Sequence, residues 1–223
     1  MNYEQARFNM IEQQIRPWEV LDSQVLALLA VIKREDFVPT AYKALAFADM
    51  EIPLAANLQQ HPSQCMLSPK VEARILQDLA LQKHERVLEI GTGSGYMAAL
   101  MGHRAQQVIS LELDPELALT ARGNLQRAGI FNAEVRVANG ADAEAVKGPF
   151  DAIVLSGSVA DVPAALLEQL KVGGRLSAVV GFEPVMRATL VTRVGQAAWH
   201  TTQAWDTVAP RLHGFPEPSK FSF

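Results

Sequence analysis

The sequence predicts an α/β protein: a mostly parallel sheet with helices on both faces, an antiparallel hairpin at its C-terminal end, and a helical segment in front. Three observations carry this. Up to Leu81 the apolar residues recur at helical spacing. After His84 short apolar runs alternate with helical stretches of about 8–14 residues, the pattern of βαβ units. From Ala188 onward the strands have short connections and no helix between them, so they must pair antiparallel, because a parallel return needs a crossover of roughly a dozen residues.

Each element has a local cause. Tyr3–Ile15 reads as a first helix that Pro17 ends, and Asp22 can cap a second with Val25, Leu28, Leu29 and Ile32 on one face. Ser68-Pro69 supplies the preferred residues for the start of a third, whose buried stripe is Val71, Ile75, Leu76 and Leu79. Strands are expected at 86–90, 107–113, 133–138, 150–156, 175–180 and 188–194, with helices at 96–103, 115–128 and 163–170. The change of pattern divides the chain into an N-terminal helical extension, 1–83, and a core, 84–223.

Composition narrows the function. Of 223 residues 49% are hydrophobic and 20% charged, enough to bury a core and unlike a disordered chain. A formal charge of −4 offers no basic field for a polyanion, so a nucleic-acid partner is not expected. The single cysteine, Cys65, excludes an internal disulfide. His61, His84, His103, His200 and His213 are scattered without ligand spacing, so no metal site is expected. The apolar run Val25–Ile32 is far shorter than the roughly 18 residues a membrane span needs. Glu4, Arg7, Glu12 and Arg16 interrupt the N-terminus in a way unlike a secretory signal, which points to the cytoplasm.

The segment Glu89-Ile90-Gly91-Thr92-Gly93-Ser94-Gly95-Tyr96 carries the most chemistry. Three glycines at alternate positions, after a strand and before a helix, let the backbone turn sharply and let a ligand lie against it, while the helix offers free N–H groups. A nucleotide-like ligand suits such a loop. The dinucleotide fingerprint would need its third glycine at Tyr96, so NAD is disfavoured, and no G-K-[ST] ending makes a P-loop. Glu112, at the end of the second strand of this half, is placed where an acidic side chain accepts hydrogen bonds from both ribose hydroxyls of an adenosine.

The acidic-x-G-x-G-x-G loop resembles the first motif of the adenosylmethionine-dependent methyltransferases. A wider set of pieces is similar to the protein-L-isoaspartate O-methyltransferase family: Arg34-Glu35-Asp36-Phe37-Val38-Pro39 with Tyr42, then Leu88–Tyr96, Pro149–Ile153, Gln169–Leu176 and Val180-Gly181, in the family's order over roughly residues 30–181. The resemblance implies a Rossmann-like methyltransferase fold with a seven-stranded sheet, S-adenosyl-L-methionine as cofactor, and methyl transfer to the carboxylate of isoaspartyl residues in damaged protein. It implies that Glu89 lies near the cofactor's ammonium and that the backbone of Gly91, Thr92, Gly93, Ser94 and Gly95 faces its carboxylate and ribose. Glu112 then takes the ribose hydroxyls, Asn139-Gly140 the adenine edge, and Ser156 lies near the methyl-transfer site.

One segment departs from the family. Its G-Q-T-I-S-Q-P stretch, whose Thr and Ser hydroxyls meet the substrate carboxylate, aligns with Ser63-Gln64-Cys65-Met66-Leu67-Ser68-Pro69, which puts Cys65 and Leu67 at the two hydroxyl positions with Met66 between. Ser68 either substitutes for the missing serine after a one-residue shift or caps the third helix. The departure leaves open a methyltransferase with another acceptor, or an adenosylmethionine-binding protein without catalysis. The partners implied are an isoaspartyl-containing protein or peptide, or a small acceptor. Val208–Leu212 loosely resembles the family's terminal F-V-P-L, and the Pro-rich tail from His213 to Phe223 is either a lid or a loosely packed terminus.

Overall fold

The computed structural model describes residues 2–54, 63–142 and 144–217. His61 and the final aromatic residues of the tail lie outside them. The first helix, α1 (Tyr3–Met10), widens into a π-helical turn, Ile11–Ile15, and tightens into a 3₁₀ turn, Arg16–Trp18, that contains Pro17. The expected single helix Tyr3–Ile15 is thus two kinds of helix. In the widened turn Arg16 donates its N–H to the Ile11 carbonyl, five residues back. Asp22 caps α2 (Ser23–Val31) as expected, its Oδ1 accepting from Gln24 N at 2.7 Å and Val25 N at 3.3 Å. Two 3₁₀ segments, Arg34–Asp36 and Thr40–Leu45, lead to a short ladder of β1 (Ile52–Pro53) on β2 (Cys65–Met66), and α3 (Pro69–Leu79) follows.

Seven strands form the main sheet: β3 (Arg86–Ile90), β4 (Gln107–Glu112), β5 (Ala133–Val137), β6 (Phe150–Val159), β7 (Leu170–Phe182), β8 (Val185–Gly195) and β9 (Ala198–Thr207). Their order across the sheet is β5-β4-β3-β6-β7-β8-β9. β3 to β7 are parallel, while β8 pairs antiparallel with β7 and with β9, as the short connections required. The crossovers are α4 (Tyr96–Arg104), α5 (Pro115–Arg127) and α6 (Ala164–Glu168). The expected helix 163–170 is shortened because Leu170 already pairs with Phe150 in the sheet.

The strands alternate between two cores. Val87, Val108, Ala152, Val154 and Val179 face a large cluster built from the helices α1 to α5, whereas Leu88, Ile109, Ile153, Leu155 and Ala178 face a smaller one with Leu166, Val146 and Phe215. The second face is covered largely by connecting segments and the tail, because α6 is only five residues long. The N-terminal helices share the first core with the sheet and are also tied to it by polar contacts. Arg175 on β7 donates from Nε to the Leu79 carbonyl at 2.7 Å and pairs with Glu85 at 2.5 Å, while Trp205 donates to Asp78 at 2.8 Å.

The chain runs outward from β3 to β5 and then returns to β6 on the other side of β3. The strand order reverses between β3 and β6, and in an open α/β sheet that is where a crevice opens at the carboxyl ends of the strands.

Candidate functional site

The loop between β3 and α4 fills this switch point. Gly91, Gly93 and Gly95 have φ of +92°, +53° and +84°, values an L side chain rarely adopts. Gly91 N–H donates to the Leu111 carbonyl at 2.9 Å, and Gly95 is the cap from which α4 starts. A Cβ at Gly91 would lie 2.9 Å from the tip of Leu212 and one at Gly93 would lie 3.1 Å from the tip of Leu54, so a side chain there would crowd its neighbours as well as strain the backbone.

The loop borders a cavity of about 810 Å³ lined by Ile90, Gly91, Gly93, Glu112, Asn139, Gly140 and Ser156, and also by Cys65. This is the size and concavity of a small-molecule site. A small recess of about 20 Å³ shares Cys65, Gly91, Gly93 and Ser156 with it and is further lined by Leu67, Glu72, Glu89 and Thr92.

Two carboxylates organise the floor. Glu89 is fully buried at the middle of the sheet, its Oε2 accepting from Ser110 at 2.6 Å and its Oε1 from Ser156 at 2.8 Å. Burial pushes its carboxyl up to about 7, against the lowering effect of those two hydroxyls. Thr92 is turned inward to Ser110 at 2.6 Å, so its hydroxyl serves this network. Glu112 sits at the end of β4, where Oε2 accepts from Gly93 N at 2.8 Å and Oε1 from Asp114 N at 3.1 Å. Burial raises its carboxyl as well, with the backbone N–H groups working against the rise.

The expected site residues Glu89, Gly91, Thr92, Gly93, Glu112, Asn139, Gly140, Ser156, Cys65, Met66 and Leu67 therefore line one cavity or its recess. Ser94 lines the recess and also a separate cavity of about 640 Å³ beside Asp36–Thr40 and α5, while its carbonyl accepts from Asn124 Nδ2 at 2.8 Å. Gly95 acts as the turn into α4. Ser68 stands apart: it holds the cap position of α3 without a side-chain cap bond, its carbonyl accepts from Val71 N and Glu72 N, and it lines none of these cavities. Cys65 donates weakly to Glu51 at 3.7 Å, and burial pushes its thiol up to about 12, so it is neutral and unsuited to nucleophilic attack.

Sequence reasoning gave no role to Glu72, Ser110 or Asp114, and of its two readings of the tail, a lid or a loosely packed terminus, the structure has Arg211, Leu212 and His213 in the cavity wall. The tail is fixed by Ser158, which donates its N–H to the Pro210 carbonyl at 2.7 Å and accepts from Leu212 N at 2.9 Å. For Glu72 a signal existed: positions 72, 75, 76 and 79 share one helix face, so a carboxyl lies on the apolar stripe of α3.

The residues present fit an adenosylmethionine. Backbone N–H groups lie at a helix start, a carboxylate ends the neighbouring strand, and two glycines stand where a Cβ would intrude. Among the described residues, no group of three or more His, Cys, Asp and Glu is arranged to hold a metal, and no helix is long and apolar enough to cross a membrane.

Comparison with known proteins agrees with this geometry. Residues 5–207 match the family model of protein-L-isoaspartate(D-aspartate) O-methyltransferase. A protein-L-isoaspartate O-methyltransferase of Methanoculleus marisnigri is 40% identical over 175 residues, 78% of this chain and 77% of the relative. One of Syntrophobacter fumaroxidans is 37% identical over 201 residues, 90% of this chain and 91% of the relative. Among solved structures, a protein-L-isoaspartate O-methyltransferase superposes with a TM-score of 0.79 at 24% identity, covering 93% of this chain and 66% of its own. A Plasmodium falciparum chain described as a beta-aspartate methyltransferase, in complex with S-adenosyl-L-homocysteine, superposes with a TM-score of 0.74 at 19% identity over 95% and 99% of the two chains. With a family match over nearly its whole length and relatives this similar, the chain belongs to the protein-L-isoaspartate O-methyltransferase family.

Proposed function

We propose that this chain is an S-adenosylmethionine-dependent methyltransferase that esterifies the free carboxylate of isoaspartyl residues in damaged protein. The observation that carries the reading is the glycine loop at the switch point of the sheet, opening on a cavity flanked by Glu89 and Glu112, in a chain of this family. Bound there, S-adenosylmethionine supplies an electrophilic methyl group on a sulfonium.

The remaining work is positioning. An isoaspartyl carboxylate is already ionised at neutral pH and needs no general base. Holding two reactants in line can supply roughly 7–11 kcal/mol of a barrier, and excluding water strengthens the attraction between opposite charges. Glu89, held by Ser110 and Ser156, faces the ammonium of the methionine part, and the 91–95 backbone faces its carboxylate and ribose. Glu112 takes the ribose hydroxyls with lone pairs left after its bonds to Gly93 and Asp114. Asn139 and Gly140 border the adenine, and Ser156 lies beside the transferred methyl. Cys65, Met66 and Leu67 form the acceptor-side wall, more apolar than the family's, while Ser68 serves the start of α3. Residues 1–83 act as a layer on the core formed by 84–223, supported by the shared hydrophobic cluster and the Arg175 contacts. The cytoplasm, where damaged protein and a single free cysteine coexist under reducing conditions, is the compartment that suits this activity.

Transfer of radiolabelled methyl from S-adenosylmethionine to an isoaspartyl peptide, compared with the same peptide carrying aspartate, tests the reading. Base-labile label on the isoaspartyl peptide alone is expected. Normal binding of S-adenosylhomocysteine with no label on the peptide would overturn it.

A further inference from the structure

The recess beside the glycine loop contains a carboxyl that the roles above do not use. Glu72 projects from the first turn of α3, is 5% exposed, and lines the recess together with Glu89. Its Oε2 accepts no hydrogen bond among the described residues. The nearest cation, Arg34, makes a long ion pair with it, its Nε 3.6 Å from Glu72 Oε2, while its two terminal nitrogens donate to the Ala46 and Leu67 carbonyls at 2.9 and 2.8 Å. No Lys or Arg is among the residues lining the recess. Two buried carboxyls from different elements face one small space, and the long Arg34 pair offsets only part of their repulsion, so a proton or a cationic ligand is favoured there.

We infer that Glu72 is a second carboxylate of an ammonium pocket, holding the α-ammonium of the cofactor's methionine part from the α3 side while Glu89 holds it from the sheet. The inference rests on adenosylmethionine as the ligand and goes beyond the family role carried by Glu89. Its consequence is proton-linked binding. Burial pushes the Glu72 carboxyl up to about 8 and that of Glu89 to about 7, with the Glu89 charge adding to the rise at Glu72 and the Glu112 charge to that at Glu89. The groups facing Glu72 are Arg34, which lowers it, Glu89 on β3, Tyr96 on α4 and Cys65 on β2, with the Arg7–Glu35 pair beyond Arg34 and Glu112 beyond Glu89. A neutral recess must lose protons to receive an ammonium, so cofactor binding releases protons near pH 7. Affinity rises with pH until the ligand's own amine loses its charge at about pH 8.

The test uses calorimetry on the full chain with two probes: S-adenosylhomocysteine, and methylthioadenosine, which lacks the amino-acid part. Glu72→Gln is expected to weaken S-adenosylhomocysteine binding about tenfold at pH 8. It should leave methylthioadenosine binding unchanged and flatten the rise in affinity between pH 6 and pH 8. Equal loss for both probes, or an unchanged Kd and pH slope for S-adenosylhomocysteine, would overturn the inference. The parent chain provides an arm that needs no variant: titrations in buffers of different ionisation enthalpy should show proton release at pH 7, and none released would overturn it as well. These binding readouts are independent of methyl transfer to an isoaspartyl peptide, so failure of the acceptor assay and failure of the ammonium pocket are distinguishable.

Discussion

Gly140 shows how little room the site leaves at single residues. A Cβ there would lie 2.2 Å from Ile90 Cγ2, and Ile90 itself lines the cavity at the end of β3. Gly140→Ala is therefore expected to push Ile90 toward the ligand space. It should lower stability by about 1–3 kcal/mol, read as a drop in Tm, and weaken S-adenosylhomocysteine binding in the same sample. Leu67 makes the opposite point. It occupies a position where the family has a hydroxyl, yet it is 6% exposed and belongs to the main core, with its carbonyl held by Arg34. Restoring the family residue with Leu67→Ser removes buried aliphatic surface, for which a loss of about 2–4 kcal/mol is expected. A gain in kcat/KM for an isoaspartyl peptide despite that loss would mark the loop as the source of a weakened acceptor site; an unchanged kcat/KM would show that the wall works as it stands.

At the scale of elements, the cap of α5 also helps to hold the 63–67 segment, beside its ladder with β1. Asp114 accepts from Glu116 N at 2.8 Å and Leu117 N at 3.3 Å to start α5, and also accepts from Gln64 Nε2 at 2.9 Å across the cavity mouth. Asp114→Ala should cost about 1 kcal/mol from the cap alone. Because it also frees Gln64, it is expected to raise KM for the peptide more than the Kd for S-adenosylhomocysteine, a split that steady-state kinetics beside calorimetry would reveal. The same elements explain what the sequence made legible. The strand and helix alternation after residue 84 was readable because the central strands β3, β6 and β7 carry apolar runs that feed both faces of a buried sheet. The ladder of β1 and β2 was not, because two residues per strand leave no period to detect. The choice between a lid and a loose terminus for the tail was undecidable for a different reason: Leu212 is placed by the bond of its N–H to the Ser158 carbonyl, and backbone bonds leave no mark in composition.

Across the whole molecule, the cost of building a binding site from buried carboxyls should appear as a pH dependence of folding. Glu72 and Glu89 have ordinary values of 4.5, raised in the fold to about 8 and about 7, and burial also raises Glu51 and Glu112. Each binds its proton more tightly in the folded chain than in the unfolded one. Their contribution is fully present below about pH 4.5 and is lost as pH rises through 7 and 8, since stability falls with pH wherever the folded state holds more protons. The carboxyls shifted the other way, Asp151 among them, act at and below their ordinary values and leave this window clear. His103, lowered by burial, opposes the trend only below its ordinary value of 6.5. The ligand-free chain is therefore expected to lose about 5 °C or more in Tm between pH 6.5 and pH 8.5. Glu72→Gln, which cannot ionise, should show a shallower decline and be more stable than the parent at pH 8.5. Saturating S-adenosylhomocysteine should flatten the parent's decline too, because an ammonium held between the two carboxylates favours their ionised forms in the folded state. A Tm that stays level or rises across this range in the ligand-free parent would mean that the two carboxyls are already ionised in the empty fold, and that the recess does not hold protons in place of its ligand.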